Sequence, residues 1–210
     1  MRQLVFAATL FTLTTACGGG ARPKTAPPEP TTRPAPALVG YKVMVLPTQR
    51  GPVPVADPQK QHFPLTAEKL DAELAYWLPQ LARSVNWVLP ATIQRAIERS
   101  PTLGVDMRNL AVTSFHRAQV RRIGDPLFGD LRRLAAVLDT RIAVVPVAAE
   151  LIGSTRADAR VQIATAVIDT FDGTVLWYGV LEGDADAKGD DAAIASAAQA
   201  FARAFAGQRN

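Results

Sequence analysis

Six prolines crowd the stretch from Gly18 to Ala37, GGGARPKTAPPEPTTRPAPA, with no large apolar side chain among them. Proline locks φ near −65° and removes the backbone donor that a helix or sheet ladder needs. Such a segment buries too little surface to offset the entropy of ordering it. It therefore divides the chain: folded structure begins near Leu38, and a spacer of polyproline character precedes it, about 50 to 60 Å long when extended at about 3.1 Å per residue. The remaining residues, 38–207, suffice for a single domain that buries roughly 70% of its extended-chain surface. With 48% hydrophobic and 20% charged residues over 210 positions, disorder throughout is excluded.

Upstream of the spacer, Arg2 supplies a positive start and Leu4 to Ala16 form an apolar run that ends at Cys17, the one cysteine in the chain. A helix over that run spans about 20 Å, short of the roughly 30 Å hydrocarbon core, which makes it an export signal and not a membrane span. A lone cysteine excludes an intramolecular disulfide, and two histidines with one cysteine cannot build an ordinary zinc cage. Small residues leading into Cys17 resemble the signal of bacterial lipoproteins, although Thr14 stands where that family prefers Leu. The resemblance implies removal of residues 1–16, a diacylglycerol and acyl chains on Cys17 as the only covalent addition, and a spacer over 17–37. Gly18 is not the acidic residue that retains such proteins in the inner membrane, so the expected address is the outer membrane, lipid-anchored, with the domain facing the periplasm. Processing removes Arg2 and no acid, so the net charge of +4 becomes +3. That excess is too small for a dedicated nucleic-acid binder.

Periodicity organises the rest. Tyr41 to Leu46 reads as a strand, and Thr66 as the N-cap of a helix with Leu70, Leu74, Trp77, Leu78 and Leu81 inward, kinked or ended by Pro79. A short strand over 86–89 and a helix over 91–99 follow, then a barely legible stretch from Thr102 to Gly124. Asp125 and Pro126 look like the N-cap and first residue of a helix bearing Leu127, Leu131, Leu134, Ala135 and Leu138. Arg141 to Leu151 forms a β-branched run with a bulge expected at Pro146. Arg160 to Asp169 and Thr174 to Glu182 make a hairpin through Gly173, and a final helix capped by Asp190 and Asp191 buries Ile194, Ala197, Phe201 and Phe205 before Gly207 stops it. The pattern predicts an α+β domain: a two-layer arrangement with an approximately five-stranded mixed sheet, a C-terminal β-hairpin and three to four packed helices.

Catalytic signatures are missing from the sequence. His62 and His116 neighbour no nucleophile motif, and the acids at 184, 186, 190 and 191 imitate a calcium loop but place Lys188 and Ala195 where ligands are needed. The chemistry that does concentrate is cationic. Arg108, Arg117, Arg121, Arg122, Arg132, Arg133 and Arg141 fall in one stretch against Asp125, Asp130 and Asp139. Of these, Arg117, Arg121, Arg122, Arg132 and Arg133 are the candidate partner surface. Phe115 and Phe128 are too few for a nucleic-acid stacking platform.

Asp169, Thr170-x-Asp172-Gly173-x-Val175-Leu176-Trp177 resembles the D-x-x-x-G-x-[VI]-x-W hairpin of envelope lipoproteins of the curli-export (CsgG) type and of the penicillin-binding-protein activators, a group related in fold to the TolB amino-terminal domain. The strands KVMVLP and IAVVPVAAE agree with that group's patterns. With the expected anchor, the spacer and the missing catalytic signatures, the chain is expected to be a non-catalytic binding or assembly module of the cell envelope, working through protein–protein contacts, with no cofactor, small-molecule substrate or nucleic acid. A subunit of an oligomeric export complex is the alternative. Three arginines in VTSFHRAQVRRI argue against a pore-forming hairpin. A cell-wall-active enzyme would need a carboxylate pair such as Glu150 and Asp169.

Overall fold

The structure, a computed structural model, describes residues 33–49, 66–116, 120–152, 160–184 and 190–207. Cys17, His62 and Arg117 lie outside the described residues. Five strands form one open mixed sheet in the order β2-β1-β3-β4-β5. Strand β1 (Lys42–Val45) sits between β2 (Asn86–Val88) and β3 (Ile142–Ile152), parallel to both, while β4 (Arg160–Asp169) and β5 (Val175–Glu182) continue as an antiparallel meander. The bulge expected at Pro146 is present as a register shift between Pro146 and Ala148, where the missing N–H would interrupt the ladder.

The helices are α1 (Ala67–Leu81), α2 (Pro90–Arg99), α3 (Leu127–Leu138) and α4 (Asp190–Phe205). Thr66 caps α1 by accepting the Lys69 N–H at 3.2 Å, and Pro79 falls in its last turn. Helix α2 starts at Pro90, whose absent donor is harmless at the first position. Pro126 occupies the cap of α3, one residue later than expected, and the Asp125 carboxylate still reaches the first turn, accepting from the Gly129 N–H at 3.0 Å.

The chain moves outward from β1 to β2 and then back past β1 to β3. Crossovers of one hand therefore put their helices on opposite faces. Helices α1 and α4 cover one side, where Val43, Val45, Ile142, Val144, Ile163 and Trp177 meet Leu70, Leu74, Leu78, Phe201 and Phe205. Helices α2 and α3 with Val105, Met107, Leu110, Phe115 and Ile123 cover the other, against Met44, Leu46, Ala143, Val145 and Ile168. This refines the two-layer expectation: strict alternation along β1 and the first half of β3 is apolar on both sides, so both sides need a cover. Between Thr102 and Gly124 the described residues form two 3-10 turns, Pro101–Leu103 and Val112–His116, and otherwise irregular chain. No helix among the described residues is long and apolar enough to cross a membrane.

Candidate functional site

Strand β4 ends at Asp169, and the turn to β5 is built around that side chain. Its Oδ2 accepts from Arg141 Nε and Nη2 at 2.9 and 2.7 Å, and its Oδ1 accepts the Phe171 N–H at 2.9 Å. The Thr170 N–H and hydroxyl both donate to the Arg141 carbonyl at 2.8 Å, which locks the turn to the start of β3. Gly173 takes φ +78°, and a Cβ there would sit 3.1 Å from both the Ile123 carbonyl oxygen and Phe128 Cδ2. Glycine is needed on both counts. Residues 121–123 run alongside: Ile123 N–H donates to the Gly173 carbonyl at 2.8 Å and Val175 N–H to the Arg121 carbonyl at 2.9 Å.

Arginines and aromatics gather around this turn. Arg141 lies 5.8 Å from the centre of the Phe171 ring, and Arg132 lies 5.9 Å from that of Phe128. Arg122 pairs with Asp172 at 3.6 Å. Phe171 itself is 76% exposed. Hydrogen bonding to Asp169, then that carboxylate's charge, raises Arg141 above its ordinary pKa. Thr174 holds Asp172 below the usual carboxylate value through its hydrogen bonds, with smaller help from Arg122 and Arg141. Arg141 and Arg122 are thus held by carboxylates, while the Phe171 and Phe128 rings lie beside Arg141 and Arg132 within cation–π reach.

Of the five candidate arginines, the structure brings Arg121, Arg122 and Arg132 to the neighbourhood of the turn. Arg133 is instead engaged within α3, in an ion pair with Asp130, whose pKa burial raises. Arg108 leaves the surface group altogether. The carboxylates of the enzyme alternative separate: Glu150 pairs with Gln162 while Asp169 pairs with Ile142, so eight residues of β3, about 25 Å, lie between them. Glycoside hydrolysis needs carboxylates roughly 5 to 9.5 Å apart, so this pair cannot serve. Within the acidic loop, Asp184 accepts from the Ser196 hydroxyl and Asp191 pairs with Lys69 at 3.1 Å; residues 185–189 lie outside the described residues. No group of three or more His, Cys, Asp or Glu among the described residues could hold a metal ion.

A second polar site escaped the sequence reading. At the carboxyl end of β1, Asp71 of α1 is 8% exposed and accepts the Thr48 N–H at 2.7 Å and Arg108 Nη1 at 3.3 Å. Burial raises its pKa against the opposing pull of Thr48 and Arg108, and the Thr48 hydroxyl, lying against the same carboxyl, completes no hydrogen bond of good geometry. Beside it, Gln49 donates to the Pro47 and Met107 carbonyls at 2.7 and 3.0 Å and accepts the Leu110 N–H at 2.8 Å. Together the two side chains tie residues 107–110 to the end of β1. The available signal was an acid on the apolar stripe of α1, in step with Leu74 and Leu78. An open cleft of about 760 Å³ between the ends of α1 and α4, lined by Val39, Gln80, Leu81, Arg83, Ser84, Ala206 and Gly207, contains no comparable cluster.

No family model matches the chain, and no curated relative does. Among solved structures it is similar to PelC from Paraburkholderia phytofirmans, a dodecamer in two crystal forms. One form gives 15% identity over 83% of this chain and 96% of that one with a TM-score of 0.41, and the other 14% over 84% and 96% with 0.40. Lipoprotein GNA1162 from Neisseria meningitidis is 12% identical over 68% of this chain and 78% of that one, with a TM-score of 0.34. Alignments this loose carry no information on what this chain binds or assembles with.

Proposed function

We propose that this chain is a lipid-anchored, non-catalytic binding module of the bacterial cell envelope, attached to the outer membrane through acyl chains on Cys17 and facing the periplasm. It acts through protein–protein contacts of its arginine surface, of which Arg117, Arg121, Arg122, Arg132 and Arg133 are the candidate residues. The observation that carries the reading is the conjunction of Cys17 at the end of a short apolar run with a proline-rich spacer and, beyond it, a domain whose exposed chemistry is cationic and aromatic. The hairpin resembling that of curli-export-type lipoproteins agrees with it.

Two measurements test the reading. Radiolabelled palmitate should enter the wild-type chain and not Cys17→Ala; label retained on the variant refutes the anchor. Cross-linking in the intact envelope should capture a protein with the wild type and lose it when Arg121, Arg132 and Arg133 are reversed to Glu. Equal capture by both refutes the arginine surface.

A further inference from the structure

Six large apolar side chains are exposed among the described residues, and five of them, Val39, Tyr41, Val137, Phe171 and Leu176, lie at one end of the domain. The topology puts them there. Strands β1 and β3 start side by side, with Val43 opposite Ile142, and Asp169 at the end of β4 lies opposite Ile142. Val39 and Tyr41 enter β1, Phe171 tops the turn after β4, and Leu176 opens β5. Val137 is in the last turn of α3, next to Asp139, which pairs with Lys42 at 3.8 Å. Scattered apolar residues on a surface need no explanation, but a gathering of this kind marks a contact.

The spacer enters the fold at this same end. Trp177 Nε1 donates to the Arg33 carbonyl at 2.9 Å, Ala35 packs against the core, and the Gly40 N–H donates to the Ser84 carbonyl at 2.9 Å. Acids at this end are matched, Asp169 by Arg141, Asp172 by Arg122 and Asp139 by Lys42, which leaves Arg33 and Arg83 as surplus positive charge. Phe171 is 76% and Tyr41 52% exposed, so apolar rings project from a cationic rim. Aromatic rings flanked by cations suit the headgroup level of a bilayer, where anionic lipids add to the attraction.

We propose that this end of the domain rests on the anionic phospholipid surface, with Phe171 and Tyr41 at headgroup depth and the surplus cations Arg33 and Arg83 over the phosphates. The inference builds on the anchored reading above. From Cys17 to Arg33 the spacer spans about 50 Å at most, long enough for the domain to fold back onto the bilayer that holds it. Tethering raises the effective concentration of the surface to about the millimolar range, so a contact that binds a free protein only modestly still orients an anchored one.

The test uses the full chain, lipidated on Cys17, in vesicles of phosphatidylethanolamine and phosphatidylglycerol. With Cys17 blocked by lipid, Phe171→Cys carries the one free thiol for an environment-sensitive dye, and Gln94→Cys on α2 is the control. The dye at 171 should be shielded from an aqueous quencher and reached by a quencher on the lipid chains, whereas the dye at 94 behaves oppositely. A dye at 171 that stays open to water overturns the proposal, as does shielding that appears only when solubilised envelope proteins are added. Separately, the unlipidated Cys17→Ser chain should float with phosphatidylglycerol vesicles, at least about tenfold better than its Phe171→Ser derivative, and lose binding in high salt. Flotation without palmitate labelling of the wild type would refute the anchor and leave the contact standing. Labelling with a water-exposed dye would do the reverse.

Discussion

Gln49 offers the sharpest test of how the irregular 104–116 segment is held. Its side chain is buried, 4% exposed, and satisfies three backbone groups, the Pro47 and Met107 carbonyls and the Leu110 N–H. Truncation to Ala leaves all three without their partner, at about 1 to 3 kcal/mol for each buried group that water does not reach. Water entering the vacated space recovers part, so Gln49→Ala should cost about 3 kcal/mol, roughly two decades in the folding equilibrium. For a chain of this size that is about 6 to 12 °C in melting temperature. Gln49→Glu sharpens the test. A carboxylate can still accept from Leu110, but it turns its second oxygen towards two carbonyl oxygens now 2.7 and 3.0 Å from the amide nitrogen. It should therefore be less stable than Gln49→Ala at pH 7, with the gap closing as acid protonates the introduced carboxyl. Urea unfolding followed by the fluorescence of Trp77, Trp87 and Trp177 measures both. A loss below about 1 kcal/mol for Gln49→Ala, or equal stability of the two variants at pH 7, would refute the argument.

Gly173→Ala forces a side chain into φ +78° and against the Ile123 carbonyl and Phe128, and should cost about 2 to 3 kcal/mol by thermal melting; a loss under about 0.5 kcal/mol would mean that the turn relaxes freely. Asp71 is held above the ordinary carboxylate pKa by burial, so between about pH 4 and its folded value the folded chain binds more protons than the unfolded one, and this group's contribution to stability falls as pH rises. Asp71→Asn should accordingly gain on the wild type as pH rises from about 4 to 7 in paired urea titrations, and the opposite slope would show that Thr48 and Arg108 outweigh burial.

The elements that the sequence revealed are those whose signals are local. Strand β4 runs from Arg160 to Asp169 as its alternation and the Gly173 turn indicate, and Thr66 by its hydroxyl cap, Pro146 by its missing N–H and Gly207 by its positive φ each mark a cap, a bulge or a stop through local chemistry. The ties at Gln49 and Asp71 join residues far apart in sequence, and no periodicity encodes such a meeting. The arginine stretch shows the same limit. Adjacency in sequence suggested one surface, but Arg132 and Arg133 are adjacent residues of a helix, about 100° apart, and so serve different neighbours. Arg108, from the same stretch, lies against a buried acid at the carboxyl end of β1, the end away from the Asp169 turn.

Strand β1 is the first described element to leave the ribosome, yet its ladder to β3 requires Val43 to find Ile142. Strands β3, β4 and β5, in contrast, are joined by short connections and can zip as they appear. Loop closure over so long an interval is slow, so the antiparallel meander should form early and the strand next to the spacer should be the last placed. Until then the backbone donors and acceptors of Val43 to Val45 lack their partners on β3.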